Sequence, residues 1–176
     1  MASQRDLDHA YMDMAGRWAE LSSARRKKVG CLIVKRGAII SDGYNGTPSG
    51  FNNDCEVCAP TGDGGMVVDD EGELVEGTYK LVTRDEVIHA ESNAIIKLSK
   101  STQSSAGGTM YITISPCVDC AKLIIQAGIK RVIYGEVYRD TKGIDLLRRA
   151  SSIEVSQLGE QGSSKQKIAA VLDYEH

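Results

Sequence analysis

Two short runs constrain this chain more than anything else in it. VIHAESNA (87–94) sets a histidine two residues before a glutamate, and SPCVDCAK (115–122) sets two cysteines three residues apart behind a proline. The chain has only three histidines and five cysteines in 176 residues. Residues three apart on a helix are neighbours, so the first turn of a helix puts the Cys117 and Cys120 thiols on one side. A helix N-terminus also favours thiolate. Two thiolates and the neutral imidazole of His89 suit zinc, which takes sulfur and nitrogen ligands tetrahedrally. Three protein ligands leave a fourth position open, the mark of a catalytic site rather than a closed structural one. Such a chain must fold so that residue 89 meets residues 117–120.

The elements that the periodicities imply can do this. Residues 5–22 read as a helix, with Leu7, Ala10, Tyr11, Met14, Trp18 and Leu21 as its apolar, core-facing stripe. VGCLIV (29–34) and GAIISDGYN (37–45) read as two strands joined by a Lys35-Arg36-Gly37 turn, with Cys31 a small core residue. A helix is predicted from His89 to about Lys100, with Ala94, Ile95 and Leu98 inward. A strand follows over 109–114, then a helix over 118–127 stopped by Gly128. RVIY (131–134) is a strand, 142–150 a short helix and SIEV (152–155) a last strand. A hairpin followed by alternating helix and strand implies a mixed sheet with helices packed on it. Sites in such sheets form where strands end and helices begin, and both runs sit there.

The expected organisation is one domain over 1–158, with a loop-rich insertion at 46–86 and a polar tail at 159–176. Within the insertion, MVVDDEGELVEG reads as a minor hairpin around Glu71-Gly72. The tail carries a weak helical signal at KQKIAAVLDY. No apolar run reaches the length of a membrane span, and the polar, acidic N-terminus is no signal peptide. An odd cysteine count without a secretion signal argues against a disulfide framework. The reading is a cytoplasmic enzyme or binding domain. A net charge of −3 argues against a surface devoted to nucleic acid, while leaving room for a local basic pocket.

Glu91 has to lie near the predicted metal without being an obvious ligand. A carboxylate there can take a proton from water and return it to a leaving amine, serving each transfer in turn. H-x-E followed by P-C-x-x-C is the signature of zinc nucleobase deaminases. Here it reads His89-Ala90-Glu91 and Pro116-Cys117-Val118-Asp119-Cys120. The rival is a closed four-cysteine zinc made by Cys55, Cys58, Cys117 and Cys120, which leaves His89, Glu91 and Pro116 unexplained. Cys55 and Cys58 could instead hold a second, structural metal, with only His9 and His176 left as further imidazoles. A basic run after the first helix is the other candidate site. Ser22, Ser23, Arg25, Arg26, Lys27 and Lys28 combine hydroxyls and cations in a way that suits a phosphate. Ser22, Arg26 and Lys28 are its leading members, and Tyr138, with Arg139, could close the same pocket.

The chain resembles the deoxycytidylate (dCMP) deaminase family over most of residues 5–156. The resemblance rests on RRKKVGCLIVKRGAIISDGYNGTPSG, IHAESNAI, TMYITISPCVDCAKLIIQAGIKRVIY and GEVYRD. Ser92 stands where the family's HAELNA has leucine, outside the ligand set. The resemblance implies an α/β, cytidine-deaminase-like three-layer fold, a five-stranded mixed sheet flanked by helices. It implies hydrolysis of dCMP to dUMP and ammonia, feeding thymidylate synthesis. Zinc would be held by His89, Cys117 and Cys120, with Glu91 the catalytic proton shuttle. Backbone near Ala90 and Ser115 would hold the base edge, and Asn45 would contact the sugar. It further implies a homo-oligomer, a hexamer, activated by dCTP and inhibited by dTTP with Mg²⁺, through the loop of Gly43, Tyr44, Asn45 and Gly46. No nucleic-acid or membrane partner is expected. Other readings of the same metal motif are a tRNA adenosine deaminase, a polynucleotide cytidine deaminase, or a non-catalytic zinc-stabilised interaction domain, which would not need Glu91.

Overall fold

The computed structural model of the protein describes residues 2–60, 66–68, 74–76 and 79–159. Helix α1 (Gln4–Ala19) starts at a capping box, in which Ser3 Oγ accepts the Asp6 N–H and the Asp6 carboxylate accepts the Ser3 N–H. Strands β1 (Gly30–Lys35) and β2 (Ala38–Tyr44) pair antiparallel across Arg36-Gly37. Both turn residues have positive φ, 53° and 77°, as the tightest hairpin turn that matches strand twist requires. Strand β3 (Glu56–Pro60), β4 (Met66–Val68), β5 (Leu74–Glu76) and β6 (Tyr79–Thr83) follow. Then come α2 (Ala90–Leu98), β7 (Thr109–Ile114), α3 (Val118–Gln126), β8 (Arg131–Glu136), α4 (Lys142–Arg149) and β9 (Glu154–Gln157).

The main sheet has the order β2-β1-β7-β8-β9; β1 is antiparallel to both neighbours, whereas β7, β8 and β9 run parallel. The parallel half is made by two strand–helix–strand crossovers, the compact way to join parallel strands. Period-two alternation sends Cys31, Ile33, Met110, Ile112, Val132 and Tyr134 into a core with α2, α3 and α4. The residues between them, Leu32, Val34, Tyr111 and Ile133, pack on the opposite face against Met12 and Ala15 of α1. The result is the expected three layers, helix on sheet on helix, around a five-stranded mixed sheet.

Two sequence expectations shift. The buried face of α1 is Asp8, Met12, Ala15 and Ala19, while Leu7, Met14 and Leu21 are 39%, 38% and 60% exposed. The helix is turned by about one residue, roughly 100°, from the apolar stripe. The cause is polar: Asp8 is fully buried, taking a two-pronged bond from Arg131 on β8 at 2.7 and 2.8 Å and another from the Tyr111 hydroxyl on β7 at 2.6 Å. The last strand begins at Glu154 rather than 152, because Ser151 and Ser152 are spent on the turn out of α4.

The 46–86 segment carries two small hairpins. β4 pairs with β5 in a register centred on residue 71, as the Glu71-Gly72 signal implies. β3 pairs with β6 as a separate two-stranded ribbon. The helical signal in the tail lies outside the described residues. Among those described, no helix is long and apolar enough to cross a membrane.

Candidate active site

Two helix starts converge on one point. His89 occupies the N-cap of α2 and Cys117 the N-cap of α3, both in extended conformation and neither making the usual side-chain cap bond. Glu91 and Cys120 lie in the first turns of the same helices. Cap positions ordinarily go to Ser, Thr, Asp or Asn; here they are given to potential ligands. β7 delivers Ser115-Pro116 and then Cys117, at the end of a strand beside the next parallel strand. This is the strand-end location where ligands bind in such sheets.

The donor atoms of His89, Cys117 and Cys120 all lie within 4.8 Å of one another. His89 Nδ1 is 3.6 Å from Cys117 Sγ and 3.4 Å from Cys120 Sγ. Zinc bonds of about 2.0 Å to nitrogen and 2.3 Å to sulfur at tetrahedral angles set ligand atoms roughly 3.5 Å apart. The three side chains therefore fit zinc in donor chemistry and in spacing. The three groups also interact with one another. Cys117 is brought down to about 4, first by a hydrogen bond from Cys120 and then by one from His89. Cys120 is pushed up, because its thiol donates to Cys117 and because it is buried. His89 is raised, chiefly by its bond to Cys117. Binding a divalent cation would require both thiols deprotonated and the imidazole neutral.

Among the described residues no other group of three such ligands exists. Cys55 and Cys58 do not group with Cys117 and Cys120, so the closed four-cysteine arrangement is not formed, and among the described residues no second cluster is built on the Cys55–Cys58 pair. Cys55 is buried, with Sγ 3.3 Å from Ser23 Oγ. Cys58 sits in β3 opposite Leu81.

Beside the three potential ligands opens a cavity of about 260 Å³, near the lower end of small-molecule sites, roughly 300 Å³. Glu91 lines it yet is only 3% exposed, and burial pushes its carboxyl up to about 7. Ala90, Ser115, Asn45, Arg26 and Tyr138 line the same cavity. Ser22 and Lys28 do not. Ser22 is buried and donates to the Asn45 carbonyl at 2.6 Å, so it braces the wall from behind. The neighbouring Lys27 reaches the cavity in place of Lys28 and pairs with Glu136 at 2.9 Å. Asn45 is bound on both sides of its amide: Oδ1 accepts from Val29 N–H at 2.8 Å and Nδ2 donates to the Lys27 carbonyl at 2.9 Å. Ser115 Oγ accepts the Tyr138 N–H at 2.8 Å, and Arg139 stacks over the Tyr138 ring at 4.9 Å.

The Gly43–Gly46 loop lies against the same helix start. A Cβ on Gly43 would fall 2.2 Å from the Ala90 carbonyl oxygen, so β2 presses directly on α2. The Tyr44 carbonyl accepts from Asn93 Nδ2, and Gly46 exchanges two backbone bonds with Ile88, the residue before His89. Sequence reasoning missed Glu56 and Thr83, which also line the cavity; they come from the ribbon of the insertion, where nothing local marks them. Cys55, considered from the sequence only as a metal ligand, lines the cavity beside them. Ser92 is outside the ligand set, as expected, with its Oγ 3.6 Å from Cys120 Sγ.

The family model for the cytidine and deoxycytidylate deaminase zinc-binding region matches residues 5–136. The deoxycytidylate deaminase of Enterobacteria phage T4 is 37% identical, across 78% of this chain and 82% of its own length. The human deoxycytidylate deaminase is 35% identical, across 74% of this chain and 66% of its own. The dCMP deaminase of cyanophage S-TIM5, solved in complex with dCMP and dUMP, superposes with a TM-score of 0.72 at 38% identity, covering 89% of this chain and 99% of that one.

Proposed function

The chain belongs to the cytidine and deoxycytidylate deaminase family, and from that premise we propose that it hydrolyses dCMP to dUMP and ammonia. One observation carries the reading. Two members of the His/Cys/Cys triangle, His89 and Cys117, and the buried Glu91 line one cavity with three cationic side chains, Arg26, Lys27 and Arg139, and Cys120 completes the triangle just behind the wall. A base at the triangle and a phosphate at the cations would occupy the two ends of that cavity.

His89, Cys117 and Cys120 hold zinc in this reading, which supplies the Lewis acidity that makes water a nucleophile at neutral pH. Glu91 takes a proton from the attacking water and passes it to the ring nitrogen beside the reacting carbon. It then delivers the second proton to the departing amino group, so water and dCMP become dUMP and ammonia in balance. The backbone at Ala90 and Ser115 meets the base edge. Asn45, immobilised by its two amide bonds, presents a fixed surface to the sugar. Arg26 takes the phosphate, with Lys27 and Arg139 as further cations and Tyr138 as the wall between phosphate and base.

Residues 1–158 form the catalytic domain in this proposal, and the product supplies thymidylate synthesis. The assembly is a homo-oligomer, a hexamer, with dCTP activating and dTTP inhibiting together with Mg²⁺ at the Gly43–Gly46 loop. Ammonia release from free dCMP, from deoxycytidine, from a tRNA and from a single-stranded oligodeoxynucleotide tests the substrate. Release from dCMP well above the other three is expected. Release from either polynucleotide but not from dCMP overturns the reading.

A further inference from the structure

The root of the β3–β6 ribbon grips the basic segment from two directions. Glu56 and Thr83 face each other across one rung of the ribbon. The Glu56 carboxylate accepts the backbone N–H of Arg25 at 3.0 Å and of Arg26 at 3.2 Å, while Arg26 Nη1 donates to Thr83 Oγ1 at 3.1 Å. One rung therefore fixes both the main chain and the guanidinium of Arg26. Glu56 is only 3% exposed, and both it and Thr83 line the cavity.

A buried carboxylate in the wall of a cavity meant for an anion needs a reason. Two successive backbone N–H groups form a small concavity that attracts an anion. Glu56 fills it, so the donors of the Arg25–Arg26 backbone are committed to the protein. What the segment then offers a ligand is the Arg26 side chain, held by Thr83 through one of its five N–H donors. A donor fixed in advance binds with less ordering on association.

We propose that the Glu56–Thr83 rung is a positioning device that sets Arg26 for a substrate phosphate, and so determines selectivity for a nucleotide over a nucleoside. The inference rests on the dCMP reading above. It assigns substrate selectivity to the insertion rather than to the segment bearing the cation alone.

Three variants separate the outcomes: Thr83→Val, Thr83→Ser and Glu56→Gln, with Arg26→Ala as reference. KM and kcat are measured on dCMP and on deoxycytidine, with zinc content and melting temperature alongside. Thr83→Val removes one charge-assisted bond from an exposed residue and should raise KM for dCMP on the order of tenfold. The loss should be larger for dCMP than for deoxycytidine, with zinc retained. Thr83→Ser keeps the hydroxyl and should restore the KM. Glu56→Gln should shift KM in the same selective way. Equal losses on both substrates in Thr83→Val, or no loss, overturn the inference. If Arg26→Ala is selective for dCMP while Thr83→Val and Glu56→Gln are not, the positioning role fails and the phosphate reading stands. If Arg26→Ala itself shows no selectivity, the phosphate reading fails with it.

Discussion

Glu91 is a buried carboxylate that shares the cavity with His89 and Cys117, two of the three potential zinc ligands, and its proposed work is proton transfer rather than metal binding. Glu91→Ala should therefore abolish turnover while zinc remains. General acid–base catalysis alone contributes roughly 10²–10⁴ in rate, and a group serving more than one transfer belongs at the upper end. Ammonia release and metal content measured on the same sample decide it; substantial activity in this variant sinks the role. The cysteines divide by position. Cys117→Ser and Cys120→Ser should lose the metal and melt earlier, because metal binding contributes to folding. Cys55→Ser and Cys58→Ser should keep the zinc, and loss of all zinc in either would revive the four-cysteine arrangement. These chemical residues were legible in the sequence because their spacing is local: His89 with Glu91, and Cys117 with Cys120, each span one helix start. The ribbon side of the cavity wall was not, because Glu56 and Thr83 reach it from a ribbon whose pairing no short-range pattern specifies. Ser22 and Lys28 had the right chemistry on the wrong side of the chain, and only the backbone path decides that Lys27 faces inward.

Helices and strands were read well wherever a period ran uninterrupted, as in β1, β7 and β8, whose alternate residues fill the two cores. Where a polar contact outranks the apolar pattern, the reading slipped. α1 docks through Asp8, and an apolar tally has no means of assigning a carboxylate to the core; its partners Tyr111 and Arg131 lie more than a hundred residues away. The starts of α2 and α3 invert the ordinary capping preference for the sake of the site. Element packing makes its own prediction at α4. A Cβ on Gly143 would lie 1.9 Å from the Pro116 carbonyl oxygen, so the first turn of α4 presses on the peptide that carries Cys117. Gly143→Ala cannot be absorbed without moving that peptide or the helix. It should lower both the melting temperature and the zinc affinity, read by thermal denaturation and competition with a chelator. Gly16→Ala in α1 is the control, since nothing lies within 4 Å of the added carbon. It should stabilise by about 0.4–1 kcal/mol through the unfolded chain and the helix. A Gly143→Ala protein with unchanged melting and metal affinity would mean that α4 is free to shift.

At the scale of the whole molecule, the hairpin end and the metal end of the sheet are mechanically joined. Gly46 exchanges two backbone bonds with Ile88, next to His89, and Asn93 of α2 donates to the Tyr44 carbonyl. Asn45, between them, holds Lys27 and Val29 through its amide. A displacement of residues 43–46 must therefore reach the zinc-ligand helix on one side and the basic segment on the other. That is the arrangement a regulatory loop needs, because an effector acts only by binding two conformations unequally. Coupling free energies between sites are typically about 1–3 kcal/mol, enough to change half-saturation about 5- to 150-fold. The expected kinetics are sigmoidal in dCMP without effector, hyperbolic with dCTP and Mg²⁺, and inhibited by dTTP. Tyr44→Ala and Gly46→Ala should weaken these responses more than they alter zinc content. A Cβ on Gly46 meets nothing closer than the Tyr44 ring at 3.9 Å, so that variant keeps the fold around His89. Initial rates over a range of dCMP, with and without each triphosphate, read the coupling directly. Hyperbolic curves indifferent to both would show that the join between loop and helix serves stability alone.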